Sequence, residues 1–181
     1  MIAERTDPGL ADIDIAIDVI VEVAGWPTEE DLTRLARAAV TAAVETARLQ
    51  AVPGAEVAIF FADDARLRTL NGEWRGRDAP TNVLSFEGSN GSGPPYGPLL
   101  GDIVLALETV TREAEEQGKR FEHHLSHLMI HGLLHLFGYD HQIDSEAEVM
   151  EDAERRALAR LGIADPYADA PLAGRDDVAA D

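Results

Sequence analysis

The stretch His131-Gly-Leu-Leu-His135-Leu-Phe-Gly138-Tyr-Asp-His141 constrains this chain more than any other. Two histidines four apart on a helix lie about 40° apart around its axis, one turn above the other. Their imidazoles can therefore meet at one ion. Gly138 stands where a helix ends in a residue of positive φ, which glycine adopts without a Cβ clash. The chain turns back there, and His141 can return to the same ion from the side. Three neutral imidazoles suit Zn²⁺, and three protein ligands leave the fourth tetrahedral position for water. The spacing predicts one catalytic zinc ion held by His131, His135 and His141.

Composition narrows the setting. A chain of 181 residues is long enough for one domain with a sizeable core and too short for two ordinary ones. Residues 1–164 read as that domain. Residues 165–181, rich in Ala and Asp without periodicity, read as a disordered acidic tail. With no cysteine, disulfides and thiolate ligands are excluded, so histidines must carry the zinc alone. Met1 to Leu10 lacks the apolar core of a signal peptide. No apolar run approaches the roughly 20 residues of a membrane helix. The expectation is a cytoplasmic protein with no membrane partner. A net charge of −19 argues against a general nucleic-acid binder, because phosphate contacts need local positive charge. Any RNA contact must be confined to a local groove and strongly salt-dependent.

Along the chain, Ile13 to Val23 alternates apolar and polar residues, the period of a half-buried strand. Thr28 then caps a helix whose apolar stripe, from Leu32 to Ala47, ends near Arg48. Glu56 to Phe61 is a second strand, and Asp63 caps a short helix through Leu67 and Leu70. Asn71 to Thr81 is polar and turn-rich, and Val83 to Phe86 is a third strand. Arg66, Arg68, Arg75 and Arg77 make this the most basic region of an acidic protein. Arg66 and Arg68 serve equally well as solvated partners of nearby Asp and Glu. Arg75 differs, standing beside an aromatic in a turn. Gly88 to Pro98 has the composition of a flexible loop. Leu99 to Leu107 is a fourth strand, Glu108 to Gln117 a helix ending at Gly118, and Phe121 to Phe137 the metal helix. On it His124, His127, His131 and His135 form one stripe; His127 reads as packed behind the site and His124 as exposed. Ser145 and Glu148 form a capping box that starts a last helix, which runs to Leu161 and stops at Gly162. The fold class is α+β: a four-stranded, mostly parallel sheet packed with helices, the metal helix central and zincin-like.

The histidine spacing resembles the H-E-x-x-H-x-x-G-x-x-H pattern of metzincin proteases. Where those enzymes keep their general-base Glu, this chain has Gly132. A peptidase without that carboxylate lacks its proton acceptor. A closer resemblance rests on three motifs in order: Leu70-Asn71…Trp74-Arg75…Asp78-Ala-Pro80-Thr81-Asn82-Val83-Leu84-Ser85-Phe86, then Leu100-Gly101-Asp102-Ile103-Val104, then His127-Leu-Met-Ile-His131-Gly-Leu-Leu-His135-Leu-Phe-Gly138-Tyr139-Asp140-His141. Together they resemble the YbeY family of bacterial endoribonucleases, also called rRNA maturation factors, over roughly Ile13 to Leu161. The resemblance implies a zinc-dependent, single-strand-specific endoribonuclease that matures the 3′ end of small-subunit rRNA and acts in ribosome quality control. It implies RNA and ribosomal partners, His131, His135 and His141 as zinc ligands, and Arg75 as a functional arginine. The chain departs from the family pattern at Asn82, where Asp is common, and at Glu87, where Pro is common. Its loop after Gly88 is longer than usual, and the acidic tail is extra.

Two other readings use the same residues. One is a metalloprotease on this scaffold, which Gly132 disfavours. The other is a noncatalytic ribosome-biogenesis factor with structural zinc. As general base, Asp102 and Asp140 are the nearest carboxylates by sequence, and neither is assigned; Asp140 more readily orients a ligand histidine.

Overall fold

A computed structural model describes residues 14–168. Its elements run β1 (Ile15–Val21), α1 (Glu29–Ala47), β2 (Ala55–Ala62), α2 (Asp64–Arg75), β3 (Val83–Glu87), β4 (Leu99–Ala106), α3 (Leu107–Glu116), α4 (Phe121–Leu136) and α5 (Asp144–Arg160). The strands form one sheet in the order β1-β2-β4-β3. β1, β2 and β4 run parallel, while β3 pairs antiparallel with β4 at the edge. This is the α+β architecture and mostly parallel sheet that the sequence predicts.

Alternation along the strands sorts side chains between two faces. Ile15, Val57, Ile59, Phe61, Ile103 and Leu105 enter the main core with buried residues of α1, α4 and α5. Burying one such aliphatic side chain is worth about 1.5–3 kcal/mol. On the opposite face Leu84, Val104 and Ala106 meet Leu67 of α2, flanked by Phe60, Leu70 and Phe86.

Helix limits follow local chemistry. The Thr28 hydroxyl accepts the Asp31 N–H at 3.2 Å, and Glu29, Glu30 and Asp31 complement the positive helix end. Asp63 caps α2 by accepting the Arg66 N–H at 2.9 Å.

Three expectations need correction. The turn-rich reading of Asn71 to Arg75 fails, because α2 continues to Arg75 and ends at Gly76, whose φ is 67°. Asn71 favours turns by propensity, but here it is buried and donates to the Ala79 carbonyl at 2.8 Å, which holds the added turn. Arg75 therefore sits on a helix's last turn. The capping box fails too. α5 begins at Asp144 after Ile143, without a side-chain cap, and its first turn carries Asp144 and Glu146 instead. The Gly88–Pro98 loop is tied to the end of α4: Asn90 is buried and donates to the Leu136 carbonyl at 3.1 Å, while Tyr96 packs on Phe137. Of the tail taken to begin at residue 165, only Asp165 to Ala168 are among the described residues.

Candidate metal centre

α4 is apolar on most sides, with Leu125, Leu128, Met129, Ile130, Leu133 and Leu134 all buried. A helix of that kind belongs inside a fold, so the imidazoles it carries emerge in a dry setting. The helix stops where the sequence predicts. Gly138 takes a φ of 84°, and the Tyr139 N–H returns to the Leu134 carbonyl at 3.1 Å. A Cβ at Gly138 would also lie 2.7 Å from the Tyr96 hydroxyl, so space as well as φ requires glycine. Beyond it the Asp140 carboxylate accepts the His141 backbone N–H at 2.7 Å, turning that residue toward α4.

The turn brings three rings together. His131, His135 and His141 each offer a ring nitrogen, and these atoms all lie within 4.8 Å of one another. The Nε2 atoms of His131 and His135 are 3.1 Å apart. The other ring nitrogen of each is occupied: the His131 Nδ1 donates to Glu154 at 2.5 Å and the His135 Nδ1 to the Tyr139 carbonyl at 3.0 Å. Each Nδ1–H is thereby fixed, and each Nε2 presents a lone pair. His141 Nε2 is buried with no hydrogen-bond partner among the described residues. Burial, reinforced by His131 and His141, pushes the His135 pKa down to about 4. Its imidazole is neutral at pH 7, the form that binds metal. Lone pairs facing one another, and a buried nitrogen without a donor, are what a divalent cation among these rings would satisfy. The three residues fit such an ion.

Glu154 of α5 holds this centre from behind, and sequence reasoning missed it. It is fully buried, with one oxygen on His131 and the other 3.1 Å from His127 Nε2. The Tyr167 hydroxyl donates to it through a very short contact. Burial alone would raise this carboxyl, but hydrogen bonds from His127 and His131 outweigh it and hold Glu154 well below the usual carboxylate range. The same burial and the carboxylate beside it push the Tyr167 phenol far up. One signal was available in the sequence: Glu154 falls on the buried stripe of α5 with Met150, Ala153, Ala157 and Leu158.

The other singled-out residues sort cleanly. His127 is buried behind the site against Glu154. His124, expected to be exposed, is buried, with its Nε2 2.7 Å from the Glu113 carboxylate. Asn82 donates to the same carboxylate at 3.1 Å; an Asp there could not, which gives this departure from the family pattern a role. Asp140 orients His141 through its backbone, not its ring. Asp102 stands on the α2 face of β4, across the sheet from α4. Arg68 forms a two-point ion pair with Asp78 at 2.7 and 2.9 Å, and Arg66 lies 3.7 Å from Glu22. Arg75, His135, Tyr139 and Asp140 line one cavity of about 260 Å³.

Gly132 separates this site from a protease. A Cβ there would come within 2.9 Å of Ile103 Cγ2 and 3.1 Å of Ser85 Oγ, because α4 lies tight on the sheet at that point. A glutamate at 132 would point into packed side chains. Among the described residues no helix is long and apolar enough to cross a membrane.

A family model described as Endoribonuclease YbeY matches residues 21–162. A protein of that name from Rhodopseudomonas palustris strain BisA53 is 48% identical over 166 residues, covering 90% of this chain and 96% of its own. Another so named, from Chelativorans, is 51% identical over 153 residues, covering 84% and 93%. The solution structure of a Thermotoga maritima protein shares the fold with a TM-score of 0.51 at 23% identity, covering 88% of this chain and 99% of that one. On the match over residues 21–162 and these relatives, the chain belongs to the endoribonuclease YbeY family.

Proposed function

We propose that this protein is a zinc-dependent, single-strand-specific endoribonuclease. Its substrate in this reading is ribosomal RNA, notably the 3′ end of the small-subunit species, and it works in the cytoplasm with ribosomal partners. The observation that carries the proposal is the convergence of His131, His135 and His141 beside a cavity that Arg75 also lines. The relatives' shared name, Endoribonuclease, supports RNA as the substrate. Gly132 argues against the protease reading, since no carboxylate fits at the position where that chemistry needs one.

In this reading the three histidines hold one zinc ion. When bound, zinc supplies Lewis-acid stabilisation of charge developing on a phosphodiester. The chain's own groups do the rest. Glu154 and the Tyr139 carbonyl fix which nitrogen of His131 and His135 faces the centre. Asp140 holds the bend that carries His141. Arg75 binds the scissile phosphate, because its planar fork matches two phosphate oxygens and keeps its proton. That contact is ionic, so binding should weaken with added salt.

The test combines metal analysis with cleavage assays on single-stranded RNA. Wild type should contain one zinc and cut RNA, and its melting temperature should fall on chelation as the bend after α4 loses its clamp. His135→Ala should lose zinc and activity together. Arg75→Ala should keep both fold and zinc while losing most cleavage. Wild-type rates in Arg75→Ala would remove its proposed role, and casein digestion without RNA cleavage would replace the nuclease reading. A fully active His131→Ala would instead support a structural zinc.

A further inference from the structure

Trp74 is the most exposed of the large apolar side chains among the described residues, at 70%. A ring so exposed leaves a face available for stacking. It leans on Phe86, with ring centroids 5.5 Å apart at 57°. These two rings, with Phe60 and Leu70, wall a cleft of about 460 Å³ on the α2 face of the sheet. That is within the size range of small-molecule sites.

The cleft adjoins the metal centre. Ser85 and Glu87 of β3 line both it and the cavity that holds His135 and Arg75. Trp74 and Arg75 are successive residues, so the last turn of α2 contributes one residue to each hollow. A strand of RNA whose phosphate lay at Arg75 could lay a base over the β3 edge into the aromatic cleft.

Charge decides which part of a nucleotide enters. The charged lining is Glu22, Glu87 and Asp102 against Arg66, and Arg66 is 3.7 Å from Glu22. A phosphate would meet net repulsion there. A neutral base would not, and its amino group could donate to a carboxylate as cytosine N4 does to Asp or Glu. Asp102 is placed for this, since it pairs across the ladder with Phe86 and shares its face.

We propose that this cleft is a nucleobase pocket: a base next to the scissile phosphate stacks on Trp74, and Asp102 accepts from its exocyclic amino group. The inference rests on the nuclease reading above and adds to it a specificity, for cytosine, adenine or guanine over uracil. Stacking on an aromatic ring is worth enough that its loss weakens binding by about 5- to 150-fold.

The experiment uses zinc-loaded protein and short 2′-O-methyl oligocytidylate, oligoadenylate and oligouridylate. The chain has two tryptophans, and Trp26 is buried at 9% exposure with its indole N–H on the Ala62 carbonyl. A saturable fluorescence change therefore reports Trp74. We expect quenching by oligocytidylate and oligoadenylate at lower concentrations than by oligouridylate. Trp74→Ala should raise the KM for cleavage of single-stranded RNA about 5- to 150-fold with kcat nearly kept. Trp74→Phe should restore most of the affinity, and Asp102→Ala should erase the discrimination against uridine. If wild type cleaves RNA while Trp74→Ala keeps its KM, the pocket is overturned and the cleft belongs to another occupant, such as a partner protein. If wild type neither quenches nor cleaves, the nuclease reading itself falls.

Discussion

Glutamine at position 154 is the most informative single change. Glu154 is fully buried, and its two oxygens accept from His131 Nδ1 at 2.5 Å, from His127 Nε2 at 3.1 Å and from the Tyr167 hydroxyl. Glutamine has nearly the same shape but only one acceptor oxygen, and its amide nitrogen faces donors. At least one donor is therefore left buried and unpaired, which costs about 1–3 kcal/mol of stability. The second effect falls on the proposed zinc site. His131 loses the charged acceptor that fixes its Nδ1–H, and such outer partners are worth about 10- to 100-fold in affinity. That converts to about 1.4–2.8 kcal/mol. Competition with a chelator of known zinc affinity reads the second effect, and urea unfolding of metal-free protein reads the first. Both should appear in Glu154→Gln. If stability falls while zinc affinity stays at the wild-type value, Glu154 supports the core without orienting the ligand. If neither changes, the hydrogen-bond argument is wrong.

Two further outcomes follow from packing and charge elsewhere. Gly132→Ala places a methyl group 2.9 Å from Ile103 Cγ2, so the Ile103 side chain or α4 must shift, and overpacking of this kind costs about 1–3 kcal/mol. An unchanged urea midpoint would mean that the contact yields freely. Glu113 sits partly buried against His124 and Asn82; burial would raise its pKa, but those hydrogen bonds prevail and hold it below the ordinary value of 4.5. A depressed carboxyl contributes stability at pH above its unfolded value, and that contribution is lost as pH falls through the folded one. Wild type should therefore lose more stability on acidification below 4.5 than Glu113→Gln does, read by thermal melts across the acid range. Parallel acid profiles for the two proteins would contradict this.

Much of the fold was legible because its determinants are local. Ile15 to Val21 alternates, Thr28 and Asp63 cap the helices that follow them, and Gly138 ends α4, each through residues within a turn or two of one another. Where the sequence reading failed, a distant partner overrode a local preference. Asn71 stays helical because the Ala79 carbonyl receives its amide, and His124 is inside because Glu113 meets it from α3.

The same division runs through the candidate site. Helical periodicity and a single glycine bend were enough to bring His131, His135 and His141 into register, since all three lie within one stretch of 11 residues. Sequence order alone could not supply Glu154, which comes to His131 from 23 residues away, nor the contact of Gly132 with Ile103 and Ser85. Nor could it join Trp74, Phe86 and Asp102 into one cleft from α2, β3 and β4. The spacing of the three histidines obeys the pitch of one helix and the turn after it. The groups that orient those histidines, and the wall a substrate would touch, come from separate elements that meet only when the sheet and its helices pack.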